Sequence, residues 1–461
     1  MPRFFRLPAL LAAFALLAAC ASVPPPSPPG VFDTGFESGS LGTIEAVDDA
    51  TWDLRLRNDN NDPSLPASFR TWFYFGLNRI PTGRPLTLRL SGFGSSYPAM
   101  PVYSYDRVHW RHFDASEVDW QSCPRSRPGQ CRLVVRKAFA QPRVWIARFF
   151  PYTARELDAF LDTVRGSPYL TERTLATGPA TGQPIRLLTI GDPPAAANIM
   201  PDRRYVWIQA RSHPGETASS FLLEGLMKRV LADDGLGRSL RARYVFEIVP
   251  IHNVDGVALG NYRTNAASQN LEDSWTFASD GTPLPGEPAP PPEDLALMQA
   301  GIQPLLRAGA RFALALNLHS SNAEPDKPAF FVPHFGSDPA AYTDAQRALW
   351  QRQARFAELV DAYYDGPIWP VREGGQSFLE HYFPERWWWA SQQDAVDALT
   401  LETTYGRGGL GRWIEPDDLR RLGEAVAQAI AAMDDGTAEP MPVAPPGQGS
   451  HQAPAPTEED L

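Results

Sequence analysis

Between residues 32 and 150, apolar and polar positions alternate in short runs closed by turn residues. Thr51-Trp52-Asp53-Leu54-Arg55-Leu56-Arg57 has period two, and Asn58 to Asp62 follows as a turn cluster. Trp72-Phe73-Tyr74-Phe75 predicts a buried aromatic strand, Leu86 to Leu90 alternates again, and Val144 to Phe149 closes the series. Strands at this spacing without intervening helices predict an antiparallel β-sandwich. Past Pro151 the period changes. Tyr205-Val206-Trp207-Ile208 is an apolar run, and Val245 to Val249, Phe312 to Leu318 and Ala398 to Leu401 are mostly apolar runs; all four predict short buried strands. Phe221, Leu222, Gly225, Leu226 and Val230 share one helical face, and Asp294 to Ala308, Asp344 to Tyr364 and Asp417 to Met433 are further helical stretches. Strands alternating with helices predict an α/β domain with a mixed, largely parallel sheet flanked by helices. Functional residues in such sheets gather at the carboxyl ends of strands.

The two ends carry no such pattern. Arg3 and Arg6 precede an apolar stretch, Leu7 to Leu17, interrupted only by Pro8. That is the layout of an export signal over residues 1–19, too short to span a bilayer permanently. Leu17-Ala18-Ala19-Cys20 resembles a bacterial lipobox, so Cys20 is the expected lipidation site. Residues 20–31, rich in proline, read as a tether between a membrane anchor and the body. The sandwich is expected over 32–150 and the α/β domain over 151–435. The stretch 436–461 is Pro, Ala, Gly and acid, with the composition of a disordered acidic tail. The expected location is periplasm-facing and lipid-anchored. Ala21, in place of an aspartate, favours the outer membrane.

Composition narrows the partners. The 42 basic and 53 acidic residues give a formal charge of −11 and no basic stripe, which argues against nucleic acid. Three cysteines are too few for a disulfide-built scaffold. Cys123 and Cys131 flank a turn-rich loop, where an oxidising compartment favours one disulfide over two free thiols.

Four strand ends carry polar residues able to converge. They are Arg211-Ser212-His213-Pro214-Gly215-Glu216, His252-Asn253-Val254-Asp255-Gly256 with Gly260-Asn261-Tyr262-Arg263, then His319-Ser320-Ser321, and Glu402. His-x-x-Glu is a weak motif alone. Here it follows a buried strand and opens a helix, so one tight turn can present both side chains. His319 would complete a His₂Glu set, three ligands that leave one position open on zinc. These motifs, with Thr71-Trp72-Phe73-Tyr74-Phe75, Met100-Pro101-Val102-Tyr103-Ser104 and Phe150-Pro151-Tyr152-Thr153 ahead of them, stand in a recognisable order. Over about residues 45–435 the sequence resembles the zinc metallocarboxypeptidase family, in its cytosolic-carboxypeptidase-like branch. The resemblance implies one Zn²⁺ per chain on His213, Glu216 and His319. It implies Glu402 as general base and acid, and Arg263 as the arginine that steadies the oxyanion.

One segment departs from the family pattern. Where relatives carry Asp-Leu-Asn-Arg-x-Trp, this chain has Asn270-Leu271-Glu272-Asp273-Ser274-Trp275. The family's Asn-Arg clamp for a substrate carboxylate thus falls on Glu272 and Asp273, a charge reversal. Three outcomes stay open. The two acids bind a cationic group on the substrate. Other arginines, Arg407 and Arg412, hold a carboxylate instead. Or the loop has drifted and turnover is weak. Asn261 and Arg407 join Glu272 and Asp273 as candidates for substrate binding. The expected function is a zinc-dependent peptidase or amidohydrolase, on amine-bearing substrates such as cell-wall stem peptides. The alternatives are an ordinary C-terminal carboxypeptidase and a binding lipoprotein of little activity.

Overall fold

The computed structural model describes residues 31–191, 202–333, 343–371 and 382–433. The segments expected to be an export signal (1–19), a tether (20–31, save its last residue) and an acidic tail (436–461), with Cys20, lie outside them.

The first domain is two facing five-stranded sheets. One runs β1 (Phe32–Asp33), β4 (Tyr74–Asn78), β10 (Arg143–Ala147), β6 (Val102–Ser104), β7 (Trp110–His112). The other runs β2 (Ile44–Ala46), β3 (Thr51–Arg55), β5 (Pro85–Ser91), β9 (Arg132–Ala138), β8 (Val118–Gln121). The alternation in β5 sorts its side chains: Leu86, Leu88 and Leu90 are buried, and the residues between them are only partly so. They meet Phe73, Phe75, Leu77, Val144 and Ile146 from the opposite sheet in one core. The expected antiparallel sandwich needs one correction. β3 pairs β5 in parallel, because β4, which lies between them in sequence, belongs to the other sheet. Cys123 and Cys131 are joined by a disulfide.

The second domain opens with α1 (Ala154–Val164), capped by Thr153 and Glu156 in a reciprocal box. Its eight-stranded sheet has the order β11 (Leu170–Thr177), β12 (Pro184–Ile190), β14 (Tyr244–Val249), β13 (Arg204–Ala210), β15 (Arg311–Ser321), β18 (Asp397–Thr404), β16 (Ala329–Pro333), β17 (Ile368–Trp369). The four central strands, β14, β13, β15 and β18, run parallel; β12 and β16 join them antiparallel at the flanks. Helices α2 (Ala218–Leu231), α3 (Gly235–Arg243), α4 (Val254–Leu259), α7 (Asp344–Tyr363), α8 (Pro384–Gln392) and α9 (Pro416–Ala432) accompany the sheet. The helix expected over Asp294 to Ala308 is present but interrupted: α5 (Pro292–Ala296) and α6 (Gln303–Arg307) flank a π-helical turn, Leu297–Ile302. Pro304 has no N–H to give an α-helical bond, and the wider turn just before it accommodates that loss. Trp387 and Trp388 of α8 are core residues, against Trp275 and Phe312.

The two domains share apolar packing. Trp72, Tyr74, Val102, Ala147 and Phe149 from the sandwich belong to the same buried cluster as the α/β core. No described helix is long and apolar enough to cross a membrane.

Candidate metal centre

The loop after β13 is held from several sides. Arg211 has a left-handed backbone, φ 64°. Its fully buried guanidinium donates to the Pro214 carbonyl at 3.0 Å, the Tyr152 carbonyl at 2.9 Å and Ser220 Oγ at 3.0 Å. Gly215 donates its N–H to the Tyr262 carbonyl at 2.9 Å. A Cβ on Gly215 would lie 2.5 Å from the Tyr262 ring, so only glycine allows this approach. The turn therefore presents His213 and Glu216 side by side just before α2. From the neighbouring parallel strand β15, His319 faces them.

The three side chains converge. His213 Nδ1 is 2.9 Å from Glu216 Oε1, His319 Nδ1 is 2.8 Å from Glu216 Oε2, and the two Nδ1 atoms are 3.1 Å apart. All three are buried. Behind them, each imidazole is anchored at its other nitrogen. His213 Nε2 meets Asn270 Oδ1 at 3.0 Å; His319 Nε2 meets Glu272 Oε2 at 3.0 Å and Asn317 Oδ1 at 3.1 Å. With a metal held on the Nδ1 side, these acceptors take the ring proton at Nε2 and leave a lone pair on each Nδ1. Without a metal, a proton on one of the rings is what the Glu216 carboxylate would share. His213, Glu216 and His319 are thus a donor set that fits a metal ion, and its N₂O composition suits zinc. Burial opposes charge on Glu216, yet the two histidines hold its carboxyl well below the usual range. Burial, with Arg263 nearby, lowers His213, whereas Glu272 and Glu216 outweigh burial at His319 and raise it.

Glu402 is the cross-strand neighbour of His319 in the β15–β18 ladder. It is 2% exposed, and its Oε2 has no hydrogen-bond partner. Burial pushes its carboxyl well above the ordinary range, against the pull of His319. Arg263 is close enough to act electrostatically on both His213 and Glu402, and its guanidinium lies over the Phe69 ring, 5.5 Å from the centroid.

The candidate substrate-binding residues are placed differently from one another. Glu272 is buried behind His319, with Asn317 Nδ2 donating to its Oε1 at 2.7 Å. Both of its oxygens serve the metal centre, and it does not form an open clamp. Asp273, next in sequence, is exposed. Asn261 is buried and turned toward the sandwich, bonded to Asn60 and to the Thr264 carbonyl. Arg407 is paired with Asp326, and Arg412 with Asp418, so neither is directed at the centre. His252 is fully buried between Ser212 and Asp294.

Sequence reasoning passed over several neighbours. Asn317 lies two residues before His319 on the same strand face, a period-two signal that was available. Asn270 stood in the departing segment without a role. Glu385 on α8 carried no signal. It is buried, accepts from Thr400 Oγ1 at 2.6 Å, and has an Oε2 without a hydrogen-bond partner. Burial, reinforced by Glu272, pushes its carboxyl up to about 7.

The fold and this site together define a metallocarboxypeptidase architecture. Residues 157–289 match the zinc carboxypeptidase family, and residues 32–149 match the cytosolic carboxypeptidase N-terminal domain. It is 30% identical to mouse cytosolic carboxypeptidase 6 over 256 residues, 53% of this chain and 46% of the relative. The Caenorhabditis elegans cytosolic carboxypeptidase 6 is 27% identical over 261 residues, 54% of this chain and 55% of that one. The chain thus spans about half the length of these relatives. Among solved structures, a metallo-carboxypeptidase from Burkholderia cenocepacia shares the fold with a TM-score of 0.69 at 24% identity, covering 88% of this chain and 99% of that one. One from Pseudomonas aeruginosa does so with a TM-score of 0.67 at 23% identity, over 87% and 98%.

Proposed function

We propose that the protein is a zinc-dependent peptidase or amidohydrolase, with His213, Glu216 and His319 holding the metal and Glu402 moving the proton. The observation that carries this reading is the convergence of three buried donors beside a buried carboxylate with an unpartnered oxygen. When bound there, zinc supplies a Lewis acid that polarises the scissile carbonyl and lowers the pKa of water toward ~7. Glu402 accepts the proton of the attacking water and returns it to the leaving nitrogen. Arg263 sets a fixed positive charge where the carbonyl oxygen becomes negative. Asn270 and Glu272 keep the two imidazoles in the ligating tautomer.

The substrate class we propose carries an amine near the scissile bond. Glu216, Glu272, Glu385 and Glu402 are buried carboxylates gathered at one centre. Beside a divalent ion and Arg263, this density of carboxyl groups favours a cationic group and opposes another carboxylate. Among the described residues, the arginines first considered for a carboxylate, Arg407 and Arg412, are committed to Asp326 and Asp418. The export signal proposed for residues 1–19 would put cell-wall stem peptides, with their diaminopimelate amine, within reach.

The test is hydrolysis of matched peptides by the zinc-loaded protein, with the C-terminus free or amidated and the amine free or acetylated. Preference for the free amine, whatever the C-terminus, is expected. Strict dependence on a free carboxylate, with acetylation neutral, would make the protein an ordinary carboxypeptidase.

A further inference from the structure

The segment that carries Arg263 has no regular secondary structure, yet it is firmly held by the other domain. Asp59, on a 3₁₀ turn of the sandwich, is 3% exposed. Its Oδ1 accepts the N–H of Tyr262 at 2.6 Å; its Oδ2 accepts the N–H groups of Arg263 at 2.7 Å and Thr264 at 2.8 Å. Thr264 Oγ1 adds a fourth donor at 3.2 Å. Three successive amides converge on one carboxylate that arrives from about 200 residues earlier in the chain. Burial favours the neutral carboxyl, while the three amides and Arg57 favour the charged one. The geometry is that of an acceptor at both oxygens.

The same turn closes the loop on either side. Arg57 donates to the Leu259 carbonyl at 2.6 Å and the Gly260 carbonyl at 3.0 Å. Asn60 donates its N–H to Asn261 Oδ1 at 3.0 Å and its Nδ2 to the Asn265 carbonyl at 2.9 Å. Asn60 has φ 52°, a left-handed conformation that asparagine tolerates better than most residues. Phe69, also from the sandwich, lies beneath the Arg263 guanidinium. Tyr262 in turn receives the Gly215 N–H inside the His213–Glu216 loop.

We propose that Asp59 is a positioning residue of the hydrolytic site, fixing the backbone of Arg263 from the N-terminal domain so that the guanidinium stays aimed at the reacting oxygen, with Phe69 as its platform. This rests on the hydrolase reading for the role of Arg263. Asp59 itself touches no reacting atom. An asparagine in its place can offer only one oxygen to the amides and turns an NH₂ toward the rest. A shift of about 1 Å in a group that stabilises a transition state can lower turnover on the order of 10²-fold.

The test is a double-mutant cycle on the zinc-loaded full chain, with amide hydrogen exchange read in parallel. Asp59→Asn should lower kcat by about 10- to 100-fold with KM within about twofold and zinc content unchanged. In the Arg263→Ala background the same change should alter kcat less than about twofold. Phe69→Ala, at a partly buried position, should give a smaller loss that also vanishes in that background. Equal losses with and without Arg263 would overturn the proposal, because they would mark a general structural role. The exchange measurement needs no turnover. Asp59→Asn should speed exchange of the 262–264 amides at least tenfold while β14 and β15 stay protected. Unchanged protection at 262–264 would overturn the proposal even if no peptide were cleaved. Faster exchange without any hydrolysis by the parent would uphold the holding role of Asp59 and locate the failure in the hydrolase reading.

Discussion

Each imidazole of the ligand pair has its own acceptor, and the two acceptors come from the one segment that departs from the family pattern. Asn270 holds His213 and Glu272 holds His319. Glu272 falls where the resemblance led us to expect a substrate clamp, yet it is buried behind the candidate metal ligands. Its contribution should therefore appear in metal affinity before it appears in specificity. Glu272→Gln and Asn270→Ala should each weaken zinc binding by roughly 10–100-fold, as partners behind ligating histidines typically do. Competition with a chromogenic chelator measures this directly. Unaltered zinc affinity in Glu272→Gln, with altered substrate preference, would return Glu272 to the substrate side.

At the scale of elements, two sites reverse what composition suggests. A glycine inside a helix is usually a weakness, and Gly→Ala there stabilises by about 1 kcal/mol. Gly225 of α2 faces α9, and a Cβ on it would lie 1.9 Å from the Arg420 carbonyl oxygen; Gly423 of α9 meets the Leu222 carbonyl at the same distance. Gly225→Ala should force the helices apart and cost about 1–3 kcal/mol, seen as a lower midpoint in thermal unfolding. A gain in stability would show that the helices do not approach this closely. The second site is Glu247, in the middle of β14. Thr189 Oγ1 donates to it at 2.7 Å, and burial pushes its carboxyl up to about 7 from an ordinary 4.5. A raised carboxyl stabilises the fold in its protonated form. That stability is fully present below the unfolded value near 4.5 and is lost as the pH rises through about 7. Glu247→Gln should remove this dependence, leaving the variant more stable than the parent by roughly 1–3 kcal/mol at pH 8 and not at pH 4. Parallel urea titrations at the two pH values check it; an equal effect at both would rule out titration of Glu247. Strand identity was legible wherever period two or an apolar run was clean, as in Leu86 to Leu90 and Tyr205 to Ile208. The antiparallel strands β11 and β12 on one flank of the sheet and helix α8 were not, because their patterns are short or mixed and tertiary packing decides them. The clustering of His213, Glu216 and His319 was legible because their motifs follow buried strands. The role of Glu272 was not, because register alone does not say which way a buried carboxylate turns.

Across the whole molecule, the sandwich and the α/β domain share one apolar cluster, and Asp59, Arg57 and Asn60 bridge to the loop that carries Arg263. The turn cluster at Asn58 to Asp62, unremarkable in sequence, is where the domains lock, and only the folded chain brings it to residues 259–265. A shared core and buried bridging bonds predict a single cooperative unfolding transition, with a midpoint that rises on zinc binding because only the folded state assembles the ligands. Calorimetry with and without zinc should show one peak that shifts upward. Two separate transitions would mean that the domains do not depend on each other.

The most direct test of the account is a zinc titration of metal-free protein, followed by cleavage of an amine-bearing peptide, for the parent and for Glu402→Gln. The parent should gain activity linearly up to a break at one zinc per chain. Glu402→Gln should bind the same single zinc and turn over at least about 100-fold more slowly, within the range expected for loss of a general base. Activity that ignores zinc, or a Glu402→Gln variant within about tenfold of the parent, would contradict it.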